Sequence, residues 1–130
     1  MDASVLVNAF TDDGPVGRTS RLELARDLHW AAPEHVVVET FSAVRGRCLG
    51  GRISDRRAAD ALAAVAESTI DLLATMPLLA RMWQLRENVS GYDAACVAAA
   101  ESLGCPLLTA DVRLTRVAGP RCEIRLALPR

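Results

Sequence analysis

Residues 88–111 read Asn88-Val89-Ser90-Gly91-Tyr92-Asp93-Ala94-Ala95-Cys96-Val97-Ala98-Ala99-Ala100-Glu101-Ser102-Leu103-Gly104-Cys105-Pro106-Leu107-Leu108-Thr109-Ala110-Asp111. Ser90 is a good helix N-cap, and Asp93 stands three residues on, a pairing that resembles a capping box. Ala94, Ala95, Val97 and Ala98 follow at helical spacing, and Gly104 supplies the stop. Between Gly91 and Ala100 the only charge is Asp93, and a helix apolar on nearly every side is a buried one. The run Pro106–Thr109 then reads as a buried strand ending at Ala110-Asp111. Strands alternating with helices along the chain imply an α/β fold with a parallel sheet.

Each of these two elements carries a lone carboxylate. Buried unpaired charge is costly, so each acid needs a cap role, a partner or a metal. Taken singly, Asp93 could cap its own helix and Asp111 the segment Val112–Val117. The pattern recurs, however. Asp2 directly precedes the apolar run Ala3–Val7, and Glu39 sits inside His35-Val36-Val37-Val38-Glu39-Thr40-Phe41. No Arg or Lys lies within three positions of Asp2, Glu39 or Asp93, whereas Asp111 has Arg113 two residues away. Carboxylates brought together repel one another unless a cation neutralises them. All-oxygen ligands favour Mg²⁺ or Mn²⁺ over zinc.

Asp2-Ala3-Ser4, Glu39 after Ala32-Pro33-Glu34, Tyr92-Asp93-Ala94-Ala95 and Leu108-Thr109-Ala110-Asp111 together resemble PIN-domain ribonucleases, and among them the VapC-type toxins of bacterial toxin–antitoxin pairs. The resemblance covers essentially the whole chain. It implies a PIN-like three-layer α/β fold, with a central parallel sheet of four to five strands flanked by helices. It implies that Asp2, Glu39, Asp93 and Asp111 are both catalytic residues and ligands of Mg²⁺ or Mn²⁺, for hydrolysis of RNA phosphodiester bonds by a cation-activated water. Ser4 takes a supporting role by orienting Asp2, and Thr109 belongs to the same supporting set. The implied partners are an RNA substrate, a cognate VapB-type antitoxin whose C-terminal segment wraps the toxin, and a second copy in a homodimer. In the family several apolar residues precede the first aspartate, whereas here only Met1 does. Either the start lies upstream or the first strand is truncated.

Composition sets wider bounds. The chain has 130 residues, enough for one domain over residues 1–130 with a real core. Hydrophobic residues make up 51% and charged residues 24%, ordinary globular usage. No apolar run reaches membrane-spanning length, and no signal-peptide pattern opens the chain, so a cytoplasmic protein without membrane attachment is expected. The four cysteines form no C-x-x-C pair, which argues against a disulfide framework. His29 and His35 lack zinc-motif spacing and read as surface or packing residues, away from the acids of the motif. All fifteen basic residues are Arg, so a P-loop is excluded, and a receiver-like phosphoacceptor domain, which uses a lysine near its site, ranks third among the functional readings. Net charge is −1, so RNA contact must come from local arginines. Arg113 and Arg116 beside Asp111, and Arg86 ahead of the Asp93 helix, are the candidates by position. The run Arg45, Arg47, Arg52, Arg56, Arg57 reads as a solvated helix end or as a phosphate contact. A non-catalytic PIN-like module that binds RNA or protein is the alternative function.

The remaining elements follow from local signals. Residues 1–5 are expected to form the first strand, Leu6–Phe10 a short helix, and Val16–Arg26 a helix after the turn at Gly14-Pro15. Leu28–Ala31 is a candidate strand. Pro33 is expected to open a helix that runs to Leu49, with Val37, Phe41, Val44 and Cys48 on one face and Glu39 towards the sheet. Ser54 caps a helix with Ala58, Ala61, Leu62, Val65 and Ala66 at helical spacing. Ile70–Leu73 is a strand. Pro77 starts a helix with Leu78, Leu79, Met82 and Trp83 as its buried stripe. Glu123–Leu128 is a last edge strand.

Overall fold

The computed structural model describes all 130 residues. Its first helix, α1 (Ala3–Thr11), begins one residue after Asp2, whose side chain caps it by accepting from the Ser4 N–H. Nearly every α1 side chain is buried, including Val5, Leu6 and Val7, so the helix runs through the centre of the molecule. The expected strand over residues 1–5 is therefore corrected. The Asp-x-Ser capping chemistry commits the backbone to helix at Ala3 and leaves only Met1 and Asp2 extended.

Those two residues still occupy a strand's place. The Met1 ammonium donates to the Ala31 carbonyl at 3.0 Å, and the Asp2 N–H donates to the Leu108 carbonyl at 3.1 Å. On one side of them β1 (Trp30–Pro33) pairs in parallel with β2 (Ile70–Leu73). On the other β3 (Leu107–Thr109) pairs in parallel with β4 (Ile124–Leu126). The fold is α/β as expected. Its sheet consists of two short parallel pairs bridged by Met1-Asp2 rather than one long ladder.

Local chemistry places the other elements. Pro15 opens α2 (Pro15–Leu24), and Gly17 lets this helix lie against the end of α1, since a Cβ there would stand 1.8 Å from the Asp12 carbonyl oxygen. β1 starts two residues later than expected. The Trp30 indole donates to the Leu24 and Asp27 carbonyls, each at 3.0 Å, which holds the preceding loop out of the ladder and leaves Leu28 92% exposed. Pro33 accordingly ends β1 instead of opening the next helix, α3 (His35–Leu49).

The buried face of α3 is Val36, Thr40 and Val44, whereas Val37 and Phe41 are exposed. The Thr40 hydroxyl donates to the Val36 carbonyl at 2.7 Å, so this polar side chain is buried without an unsatisfied group. The face is rotated by one residue from the apolar pattern for that reason. Ser54 caps α4 (Asp55–Glu67), whose Ala58 and Ala61 pack on Val44.

Pro77 sits in a 3-10 turn, Met76–Leu78, ahead of the six-residue helix α5 (Leu79–Gln84). Leu78 is buried against Ala98 and Ala99, but Leu79 and Trp83 are exposed, so the expected four-residue stripe is corrected. A helix under two turns long cannot present a stripe of that length to one neighbour. Ser90 caps α6 (Gly91–Leu103), and Gly104 ends it at φ 62°. Ala94 to Ala100 are all buried, because small side chains let α6 be packed from every side. No helix is long and apolar enough to cross a membrane.

Candidate active site

The C-terminal end of β3, the start of α1 and the start of α6 meet around Asp2. This residue is 8% exposed, and both its carboxylate oxygens accept hydrogen bonds. Oδ1 accepts from the Ser4 N–H and hydroxyl, and Oδ2 accepts from the Thr109 hydroxyl. Both hydroxyls are fixed in turn. The Ala110 N–H donates to Ser4 Oγ at 3.0 Å, and the Asp111 N–H donates to Thr109 Oγ1 at 3.0 Å. Two side chains thus tie the turn after β3 to the start of α1, across more than a hundred residues of sequence.

Asp93 stands in the first turn of α6, and its N–H donates to the Ser90 hydroxyl at 3.2 Å. Burial pushes its carboxyl above the usual range, and the negative charges of Asp2 and Asp111 push the same way. Glu39, on the first half of α3, is also raised, first by burial and then by the charges of Asp2 and Asp93, against the opposing influence of His35. Asp2 and Asp93 thus act on Glu39, Asp2 acts on Asp93, and Asp111 joins the set through Asp93. Asp111 differs from the rest. It caps the 3-10 turn Val112–Arg116 through the Arg113 N–H at 2.9 Å, as the capping alternative expected. It also receives the Arg113 guanidinium in a two-point contact at 3.0 and 2.7 Å, and that contact holds its carboxyl below the usual range.

No three His, Cys, Asp or Glu side chains form a ready-made metal cage. The chemistry of the set nonetheless fits a hard cation. The donors are all carboxylate oxygens, and the charges of Asp2 and Asp93 act on Glu39 while Arg113 opposes the repulsion at Asp93.

Sequence reasoning set His35 aside, yet its Nε2 lies 2.8 Å from Glu39 Oε1. The two groups are in contact without hydrogen-bond alignment, and Nε2 has no other partner. The i, i+4 spacing on α3 was the signal. The His35 ring also packs on Tyr92, with centroids 5.4 Å apart and planes tilted by 42°. Among the candidate RNA contacts, Arg113 lies against Asp111 and Arg116 is exposed on the same turn. Arg86 is instead stacked over Trp83, 4.3 Å from the ring centroid. Of the basic run, Arg47 reaches inward to Thr11 and Asn8, at 2.6 and 3.0 Å, and Arg57 pairs with Asp13 at 2.7 Å. Those two are ties between helices.

The chain is similar to known proteins over nearly its whole length. Ribonuclease VapC1 of Mycobacterium tuberculosis is 36% identical over 127 residues, covering 97% of this chain and 95% of its own length. VapC ribonuclease Mb0985 of Mycobacterium bovis is 33% identical over 124 residues, covering 95% and 94%. The crystal structure of Mycobacterium tuberculosis VapC20, described as a sarcin-ricin loop cleaving toxin, matches 80% of this chain and 82% of its own with a TM-score of 0.62 and 21% identity, a likeness of fold. The PIN domain model matches residues 1–120. With the PIN domain model matched over most of the chain and relatives matched over nearly their full length, this chain belongs to the PIN-domain family, among homologues named as VapC ribonucleases.

Proposed function

We propose that this chain is a Mg²⁺- or Mn²⁺-dependent endoribonuclease, a single domain acting as the toxin of a toxin–antitoxin pair. The observation that carries the reading is the carboxylate neighbourhood itself. Asp2 is locked by Ser4 and Thr109, and Glu39 and Asp93 both sense its charge, with Arg113 opposing it at Asp93. Natural folds rarely keep such repulsion without a use for it. The relatives' ribonuclease activity and VapC designation support the same reading and extend it to a VapB-type antitoxin. A homodimer belongs to this proposal as well. Met76, Leu79 and Trp83 expose apolar surface of the kind that protein partners cover.

Asp2, Glu39 and Asp93 would hold the cation, with Asp111 completing the set at the strand end. When bound, the cation supplies charge neutralisation at a phosphoryl oxygen and activation of water. The chain's own residues do the rest. Ser4 and Thr109 fix the orientation of both Asp2 oxygens before substrate arrives, which removes a reorganisation cost. Glu39 and Asp93, with raised proton affinity, are better proton acceptors at their carboxylate oxygens than ordinary surface acids. Arg113 keeps Asp111 ionised and presents a guanidinium to a phosphate beside it.

The test is product analysis. Attack by water leaves a 5′-phosphate and a 3′-hydroxyl, because the RNA 2′-hydroxyl takes no part. Cleavage should stop in EDTA and in Asp111→Asn, and persist when the cleaved nucleotide is 2′-deoxy. A 2′,3′-cyclic phosphate product, or cleavage that survives EDTA, would overturn the proposal.

A further inference from the structure

The site has an aromatic feature that the acids do not use. Tyr92 immediately precedes Asp93 at the start of α6, and it is 64% exposed. A tyrosine side chain presents a large flat apolar ring with a polar tip. Tyr92 is also held in place. Its ring packs on His35, which is itself mostly buried, with 18% of its side chain exposed, and touches Glu39. The shelf Tyr92–His35 therefore spans two of the four acids, Asp93 by chain adjacency and Glu39 by contact. His35 braces the tyrosine ring in a tilted contact while the residue stays largely open to solvent.

We propose that Tyr92 is a nucleobase-binding residue: its ring stacks on one unpaired base of single-stranded RNA next to the bond that the carboxylates address. This deepens the ribonuclease reading and rests on it for the identity of the ligand. The physical reasons are four. Unpaired RNA bases are recognised chiefly by stacking on aromatic side chains. Such stacking tolerates any base, so it suits a rim that must position a backbone phosphate before any sequence is read. A ring braced from behind loses little freedom on binding, so more of the stacking energy appears as affinity. The near-neutral chain, at net charge −1, has little general attraction for polyanions, which leaves more of the binding to such contacts.

The test reads binding and cleavage separately. Fluorescence anisotropy with a labelled single-stranded RNA oligonucleotide and Mg²⁺ is run on the Asp111→Asn chain, where hydrolysis is off. Tyr92→Ala should weaken binding about 5- to 150-fold, the loss of one stacked base, whereas Tyr92→Phe should stay within about twofold. Abasic nucleotides are then placed in turn along the oligonucleotide. At one position the loss should match that of Tyr92→Ala, and the two together should cost no more than either alone. Equal affinity of Tyr92→Ala and its parent overturns the proposal, as do losses that add at every position. If Tyr92→Ala fails to fold, the abasic series on the parent decides, and an oligonucleotide indifferent to every base removal overturns it. A wild-type chain that binds in this Tyr92-dependent way but does not cleave would refute the ribonuclease reading and leave the stacking site standing.

Discussion

Thr109→Val tests whether the Asp2 network is what holds the site together. Thr109 is fully buried, so valine fits its space and removes only the hydroxyl. Two interactions go with it, the donation to Asp2 Oδ2 and the acceptance from the Asp111 N–H at 3.0 Å. A hydrogen bond to a charged group contributes roughly 1.5–3 kcal/mol, and a donor left unsatisfied costs about 1–3 kcal/mol more. Asp111 is only partly buried, so water restores some of the second loss. The added methyl returns about 1 kcal/mol. The net expectation is a loss of about 2–3 kcal/mol, or roughly 8–12 °C in melting temperature for a chain of this size. Thr109→Ser keeps the hydroxyl and loses only a methyl, about 1 kcal/mol. Urea unfolding in EDTA should therefore place wild type first, Thr109→Ser second and Thr109→Val last. In an Asp2→Asn cycle the valine and asparagine changes should couple by about 1 kcal/mol or more. A valine variant as stable as the serine one, or a cycle that adds within about 0.3 kcal/mol, would refute the reasoning.

Asp93→Asn probes the repulsion. The folded-state proton affinities of Asp93 and Glu39 are raised, so their contribution to stability is fully present below the unfolded values and is lost as pH rises through the folded ones. Without metal, Asp93→Asn should then melt no lower than wild type at pH 7, with the difference fading as pH falls towards about 4. Mg²⁺ or Mn²⁺ should raise the wild-type melting temperature and raise that of the variant less, and calorimetry that finds no divalent-ion binding to folded wild type would sink the site. Light scattering should give a species larger than the 13.9 kDa monomer, and the neighbouring gene product should co-purify; a monomer across a wide concentration range would count against the dimer.

Much of this molecule was legible one segment at a time. Ser54 and Ser90 cap their helices, Gly104 takes the left-handed conformation that ends α6, and Ile70–Leu73 is a strand, because each depends on neighbours within a turn. The uninterrupted small residues of Ala94–Ala100 announced a buried helix. The order and spacing of Asp2, Glu39, Asp93 and Asp111 pointed to the family before any fold was known, since the acids stand out against apolar surroundings wherever the chain later brings them.

Tertiary structure decided the rest. Two extended residues have no period to read, so only the carbonyls of Ala31 and Leu108 reveal that Met1-Asp2 bridges the two strand pairs. The face of α3 turned on Thr40, a polar residue whose hydroxyl is satisfied within its own helix and which can therefore be buried. His35 looked like an ordinary packing residue until α3 and α6 set it between Glu39 and Tyr92. Hydrogen bonds within one turn are encoded in adjacent residues. The contact of Thr109 with Asp2 joins opposite ends of the chain, and it exists only once packing has closed the intervening loop.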